Sequence, residues 1–304
     1  MYIFAGKIRL NKQSGNWVLF IVLSLTWGSS FILMKLGLEN LTDFQVASLR
    51  IVSAGLVLLP ITIKHIRKIP FNKIGYVFLS GILGSLLPAY LFCFAETKID
   101  SAVAGTLNAL TPIFAILTGA VMFQLELPQR KVKGILIAFA GCILLMFSKG
   151  IKSEANIGFS LIIVLATIFY GINANLIKKY LHDIGSLKTV AIGLSLCAIP
   201  AFFVLVYTGY FKIFTKEFTL RSTAASMVLG IIGSAVANIL YYMLIKRAGV
   251  LFSSMVTYGI PVVAIFWGLI AGENIGWKQI LSLIVILGGV YYANSSRKII
   301  TVPD

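Results

Sequence analysis

The residues able to do chemistry in this chain are neutral hydrogen-bonding groups set among apolar ones. Asn108 and Thr111 stand three apart, directly before Pro112, which puts both on one helical face. Proline has no amide to reach back one turn, so carbonyls in the turn before it lose their partner. Inside lipid such carbonyls must be satisfied by neighbours, water or a ligand. Thr257, Tyr258 and Pro261 repeat the arrangement farther along. Two readings stay open: kinked helices with internally satisfied caps, or Pro112 and Pro261 as gating hinges beside a cavity. Tyr170 and Asn173 share another face. Asn175 lies two residues beyond Asn173, roughly 200° round a helix, and is assigned to packing. Asn238, Tyr241 and Tyr242 form an i, i+3, i+4 stripe, suited to interhelical packing and equally to hydrogen bonds beside an aromatic wall. Trp27 with Ser29 and Ser30, and Tyr90 after Pro88, complete the set. The expected ligand contacts are Trp27, Tyr90, Asn108, Thr111, Tyr170, Asn173, Asn238, Tyr241 and Tyr258. Trp17 and Trp277 fit interfacial anchors, whereas Trp27 lies too far inside its apolar run for that role.

Charged residues inform by where they are missing. All ten acidic residues lie in polar breaks or within a few residues of the ends of apolar runs, so mid-run positions hold no carboxylate. His65 and His182 lie in breaks as well. Buried Asp, Glu or His commonly relay protons in membrane pumps and transporters, and none is placed to do so here. Arg50 is the one cation well inside a run, where insertion costs roughly 2.5–3.5 kcal/mol. It can snorkel to the nearer interface, or pair with a ligand carboxylate or with Glu96. Cys93, Cys142 and Cys197 sit in apolar runs without metal-ligand spacing. The chain contains no nucleophile elbow, no HExxH helix and no glycine-rich phosphate loop. No enzyme, metal or cofactor is expected.

What must position these groups is a bilayer. Of 304 residues, 59% are hydrophobic and 12% charged, with a mean hydropathy of +0.95. Soluble domains are about 45–50% apolar and about 25% charged. A secreted disulfide scaffold, a disordered chain and a cytosolic enzyme are excluded. A spanning helix needs roughly 20 apolar residues, and ten runs are drawn at 17–36, 44–63, 75–96, 101–123, 134–148, 157–177, 188–208, 223–244, 250–271 and 278–294. Polar or Gly/Pro-containing breaks such as "KHIRKIPFNK" and "KRAGV" separate them. The first run follows Lys7, Arg9 and Lys12 as a signal peptide would, but lacks a small-x-small cleavage site and is read as a retained helix.

The formal net charge of +16 follows topology. The side holding both termini and the even-numbered loops carries Lys7, Arg9, Lys12, Lys64, Arg67, Lys68, Lys73, Arg130, Lys131, Lys133, Lys178, Lys179, Lys188, Lys246, Arg247, Arg297 and Lys298. The other side carries Lys35, Lys98, Lys149, Lys152, Lys212, Lys216, Arg221 and Lys278. That bias of seventeen to eight places both termini in the cytoplasm of a bacterial inner membrane. The basic balance then answers to anionic lipid, not nucleic acid.

The chain also repeats itself. "LNALTPIFAILTGAVMFQLE" (107–126) aligns with "VTYGIPVVAIFWGLIAGENI" (256–275), pairing Pro112 with Pro261 and Glu126 with Glu273. The following runs match as well, 134–147 against 281–294, and Trp27-Gly28 matches Tyr170-Gly171. Two units result, 1–150 and 151–304, with five runs each. An odd number inverts the second unit, so the pseudo-two-fold axis lies in the membrane plane; secondary transporters use this arrangement, with the substrate near the midplane between repeats. "WGSSF" in the first run, Pro112 with "LELP" closing the fourth, and "AGEN" after Pro261 resemble the EamA family of the drug/metabolite transporter superfamily over about residues 17–295. That family's small residue before the helix-ending glutamate is Gly272 in the second half, but Leu125 stands there in the first. The resemblance implies a ten-helix inner-membrane carrier, often an exporter of amino acids or other small metabolites.

The expected fold is an all-α integral membrane protein, ten transmembrane helices in two inverted five-helix repeats. The expected function is transmembrane transport of small metabolites, as amino-acid-like export by alternating access, facilitative rather than driven through a carboxylate relay. Multidrug efflux and a non-transporting membrane scaffold are the alternatives. The expected partners are a small-molecule substrate and the lipid bilayer, with monomer and homodimer both open.

Overall fold

The computed structural model describes residues 12–124, 128–147, 154–254 and 256–294. Within them lie ten apolar helices and no strand. We label these α1 (Ser14–Leu38), α2 (Asp43–Lys68), α3 (Phe71–Glu96), α4 (Ser101–Met122), α5 (Gln129–Met146), α6 (Ile157–Tyr180), α7 (Ser186–Tyr207), α8 (Glu217–Leu244), α9 (Val256–Ile270) and α10 (Trp277–Asn294). Seven of them are long and apolar enough to cross a membrane on their own composition; α5, α9 and α10 are shorter or begin with charge. Helix α5 starts at Gln129, five residues before the expected run, because Pro128 caps it and Arg130 finds the ring of Tyr292 on α10 at 4.9 Å. The expected break at "KRAGV" is helical: the backbone of α8 continues to Ser254. No proline stands there, and one helical glycine costs only about 1 kcal/mol.

The pairing of helices follows the internal repeat. Helix α1 packs on α9 as α6 packs on α4, α3 packs on α6 and α7 as α8 packs on α1 and α2, and α2–α7 and α5–α10 pair across the pseudo-axis. Equivalent glycines make two of these contacts close. A Cβ on Gly28 would stand 2.7 Å from Val263 Cγ1, and one on Gly171 would stand 2.6 Å from the Phe114 carbonyl carbon. The symmetry extends to irregularities. "GILGS" in α3 runs into a π-helical stretch, Ile82–Leu86, and "GIIGS" in α8 lies within another, Leu229–Val236. Such turns interrupt the regular helical register and are frequent at functional sites.

Two irregularities break the symmetry. Helix α1 is interrupted at Ser29, between Gly28 and Ser30, and α4 at Ala109–Leu110, between Asn108 and Thr111. Their repeat partners α6 and α9 run on without interruption, α9 straight through Pro261.

Candidate substrate cavity

A cavity of about 430 Å³ lies between the two repeats, within the roughly 300–1,000 Å³ usual for small-molecule sites. Helix α1 contributes Trp27, Ser30, Phe31 and Met34, α2 contributes Arg50, and α3 contributes Ser85 and Phe92. Asn108 and Thr111 come from α4, Tyr170 and Asn173 from α6, Ser234, Asn238, Tyr241 and Tyr242 from α8, and Thr257 and Ile260 from α9. Its aromatic walls are two-fold copies. Trp27 meets Tyr241 with ring centroids 5.1 Å apart, and Tyr170 meets Phe92 at 6.2 Å. Trp27 Nε1 donates to the Gly233 carbonyl at 2.9 Å, a carbonyl within the π-helical stretch of α8. Asn173 Oδ1 accepts from Ser80 Oγ at 2.7 Å, joining α6 to α3.

Seven of the nine expected contacts line this space: Trp27, Asn108, Thr111, Tyr170, Asn173, Asn238 and Tyr241. Tyr90 does not. Its hydroxyl lies 2.6 Å from Ser48 Oγ on α2 and its ring 5.9 Å from Phe44, because Phe92, about 200° round the helix from Tyr90, takes the cavity face. Tyr258 is also outside the wall; Thr257 and Ile260, three apart, face inward and leave Tyr258 rotated by about 100°. Pro112 is buried at the start of the second segment of α4, and Pro261 is buried inside unbroken α9. Asn175 ties α6 to α4 through Nδ2 to the Ala115 carbonyl at 2.8 Å and to Thr118 Oγ1 at 3.0 Å.

Arg50 is the main addition. It does not snorkel: its Nε donates to Ser234 Oγ at 2.8 Å, its Nη1 lies 3.9 Å from Met34 Sδ, and it lines the cavity. Phe92, Met34 and Ser234 also join the wall unannounced. The repeated "GILGS"/"GIIGS" was the signal for Ser234, since a small-residue motif kept in both halves marks a close approach between helices.

The two ends of the cavity differ. At one, exposed Lys178 and His182 form a mouth together with Ser186. Lys73 at the start of α3 pairs there with Asp183 at 2.5 Å, and Tyr76 stacks on Tyr180 at 4.4 Å. The Lys73 hydrogen bond holds the Asp183 carboxyl below the usual aspartate value. The opposite end is shut. Glu273, beyond the end of α9, accepts from the backbone amides of Ser101 and Ala102 at 2.9 and 3.1 Å, so it caps α4. Lys35 at the end of α1 reaches Glu273 at 3.4 Å and Asp100 at 3.8 Å. Glu96 is 3% exposed beside them, with Oε1 unpaired. Glu96 and Glu273 are near span ends as expected, yet their side chains are buried in the closure. Glu126 and Leu125 lie outside the described residues.

The sequence pattern of the EamA-like transporter family matches residues 15–147 and 157–295. The chain belongs to that family. An Archaeoglobus fulgidus protein named "Uncharacterized transporter" is 25% identical across 91% of this chain and 99% of its own length. The Escherichia coli K12 protein named "Probable amino-acid metabolite efflux pump" is 25% identical across 93% of this chain and 95% of its own. A solved crystal structure shares the fold with a TM-score of 0.64 at 16% identity, covering 92% of this chain and 96% of that one. This EamA-like chain is therefore a multi-pass membrane transporter whose two repeats enclose a cavity open at one end.

Proposed function

We propose that the chain is an alternating-access carrier exporting small, amino-acid-like metabolites across a bacterial inner membrane, with both termini cytoplasmic. One observation carries the reading: the cavity opens at Lys178 and His182 and is closed opposite by Glu273 spanning α1, α4 and α9. The open end lies on the side richer in Lys and Arg, so the conformation is inward-open. Residues 1–150 and 151–304 are the two units that rock about the cavity. Hydrogen bonds come from Asn108, Asn173 and Asn238 and aromatic surface from Trp27, Tyr170 and Tyr241. The name of the Escherichia coli relative supports an amino-acid-like cargo. Among the described residues lining the cavity there is no carboxylate, and the one histidine, His182, stands exposed at the mouth and not at membrane depth, which supports facilitated rather than proton-driven movement.

Proteoliposomes loaded with amino acids and small metabolites, with and without a pH gradient, test this. The expected result is equilibration of one substrate class, unchanged by the gradient. Accumulation only with protons supplied would replace the facilitative reading. Movement of many unrelated drugs would establish efflux of that kind, and the absence of any flux a scaffold.

A further inference from the structure

We infer that Arg50 is the anchor for a carboxylate, so that the transported molecule is a small monocarboxylate or neutral amino acid and cationic compounds are refused. The inference rests on the carrier reading and names its substrate class. Arg50 stands toward the closed end of the cavity, next to Met34 and Ser234, with Lys178 and His182 at the mouth. Among the described residues its guanidinium has as polar partners a serine hydroxyl and a thioether; no carboxylate lies within ion-pair distance of it. A guanidinium at membrane depth without a counter-ion is costly and marks a substrate path by default. Ser234 holds Nε and so fixes the plane of the fork, and a fixed guanidinium fork matches a carboxylate's two oxygens.

The rest of the wall defines what else the ligand carries. A cationic side chain would find no acidic partner there and would face the positive potential of Arg50. An α-ammonium has somewhere to go: the rings of Trp27, Tyr170, Phe92 and Tyr241 surround the space, and aromatic faces attract ammonium groups. An apolar side chain fits the same rings.

The test is flux by the reconstituted full chain with four probes: leucine, leucine methyl ester, leucinamide and lysine. Leucine is expected to move, with the ester, the amide and lysine each at least about tenfold slower, in line with loss of a charge-assisted contact. Arg50→Gln is expected to slow leucine about 10- to 100-fold and to narrow the gap between leucine and its amide. Arg50→Lys, which keeps the charge and loses the fork, is expected to fall between. The ester and amide comparisons need no variant, so misfolding of Arg50→Gln leaves the answer intact. Equal flux of leucine and its ester, or brisk flux of lysine, overturns the role of Arg50 while leaving the carrier reading standing. No flux of any of the four probes overturns the neutral amino-acid class, and the carrier reading falls only if the mixture of amino acids and small metabolites is not moved either.

Discussion

At the scale of single residues, the cavity depends on backbones that approach closely. Gly171 faces Phe114 and Ala115 of α4, and an added Cβ would lie 2.6 Å from one backbone atom and 2.8 Å from two others. Backbone cannot swing aside as a flexible side chain can. Gly171→Ala is therefore expected to destabilise by about 1–3 kcal/mol, seen as a lowered melting temperature in detergent. Gly158, with nothing within 4 Å of its added Cβ, is the control. Gly158→Ala is expected to leave stability unchanged or to raise it by up to about 1 kcal/mol. Equal losses in both variants would mean that the α4–α6 contact is not what keeps Gly171 small. Asp183 gives a pH prediction at the same scale. Its carboxyl titrates below the usual value because Lys73 holds the charged form. The tie is thus complete above the ordinary aspartate range and lost as pH falls through the lowered value. Spin labels at exposed Phe71 and Leu187 should show one distance at neutral pH that broadens in acid. In Asp183→Asn the distance should be broad throughout.

At the scale of elements, the closed end is a helix cap as well as an ion pair. Glu273 satisfies two of the amides that the start of α4 leaves open, and it neutralises Lys35. Glu273→Ala removes both functions and is expected to cost the closed state on the order of 1–2 kcal/mol. A cysteine replacing buried Met34, below the closure, should then react several-fold faster with a membrane-impermeant maleimide added from the side of the membrane that holds Glu273. An unchanged rate would show that packing alone closes that end. The same principle explains the other end. The Lys73–Asp183 pair has its repeat mate in Asn40 Nδ2 donating to Ser222 Oγ at 3.4 Å, so one joint of the inverted pair is ionic and the other neutral.

At the scale of the whole molecule, the two repeats share a sequence pattern but not a conformation. Helices α1 and α4 are interrupted where α6 and α9 are continuous. Exchanging those conformations between the repeats would open the cavity at the Glu273 end and close it at His182. The opposite state is accordingly expected to be interrupted near Ile172 in α6 and before Pro261 in α9. Hydrogen exchange read by mass spectrometry checks this: in Glu273→Ala, amides around Ile172 should lose protection while those around Ser29 gain it. Loss at Ser29 alone would point to local fraying instead of an exchange of roles.

The number of helices, the inversion of the second unit and the family were all legible in the residues, for one reason. In lipid each segment must satisfy its own backbone, so hydropathy and its repetition are local properties that need no knowledge of neighbours. That seven of the nine residues singled out by type line a cavity was legible too, because a polar or amphipathic side chain deep in an apolar run has few other places to go. The faces of the helices were not. Tyr90 and Phe92 are equally good candidates by type, and only the course of α3 after its π-helical stretch shows which of them meets the cavity. Arg50 could reach the interface or the interior from its position alone, and Ser234, 184 residues away in sequence, decides between them. Glu96 and Glu273 look solvated at span ends until α1, α4 and α9 converge over them. Direction, partner and burial belong to contacts between segments, and those exist only once the helices have packed.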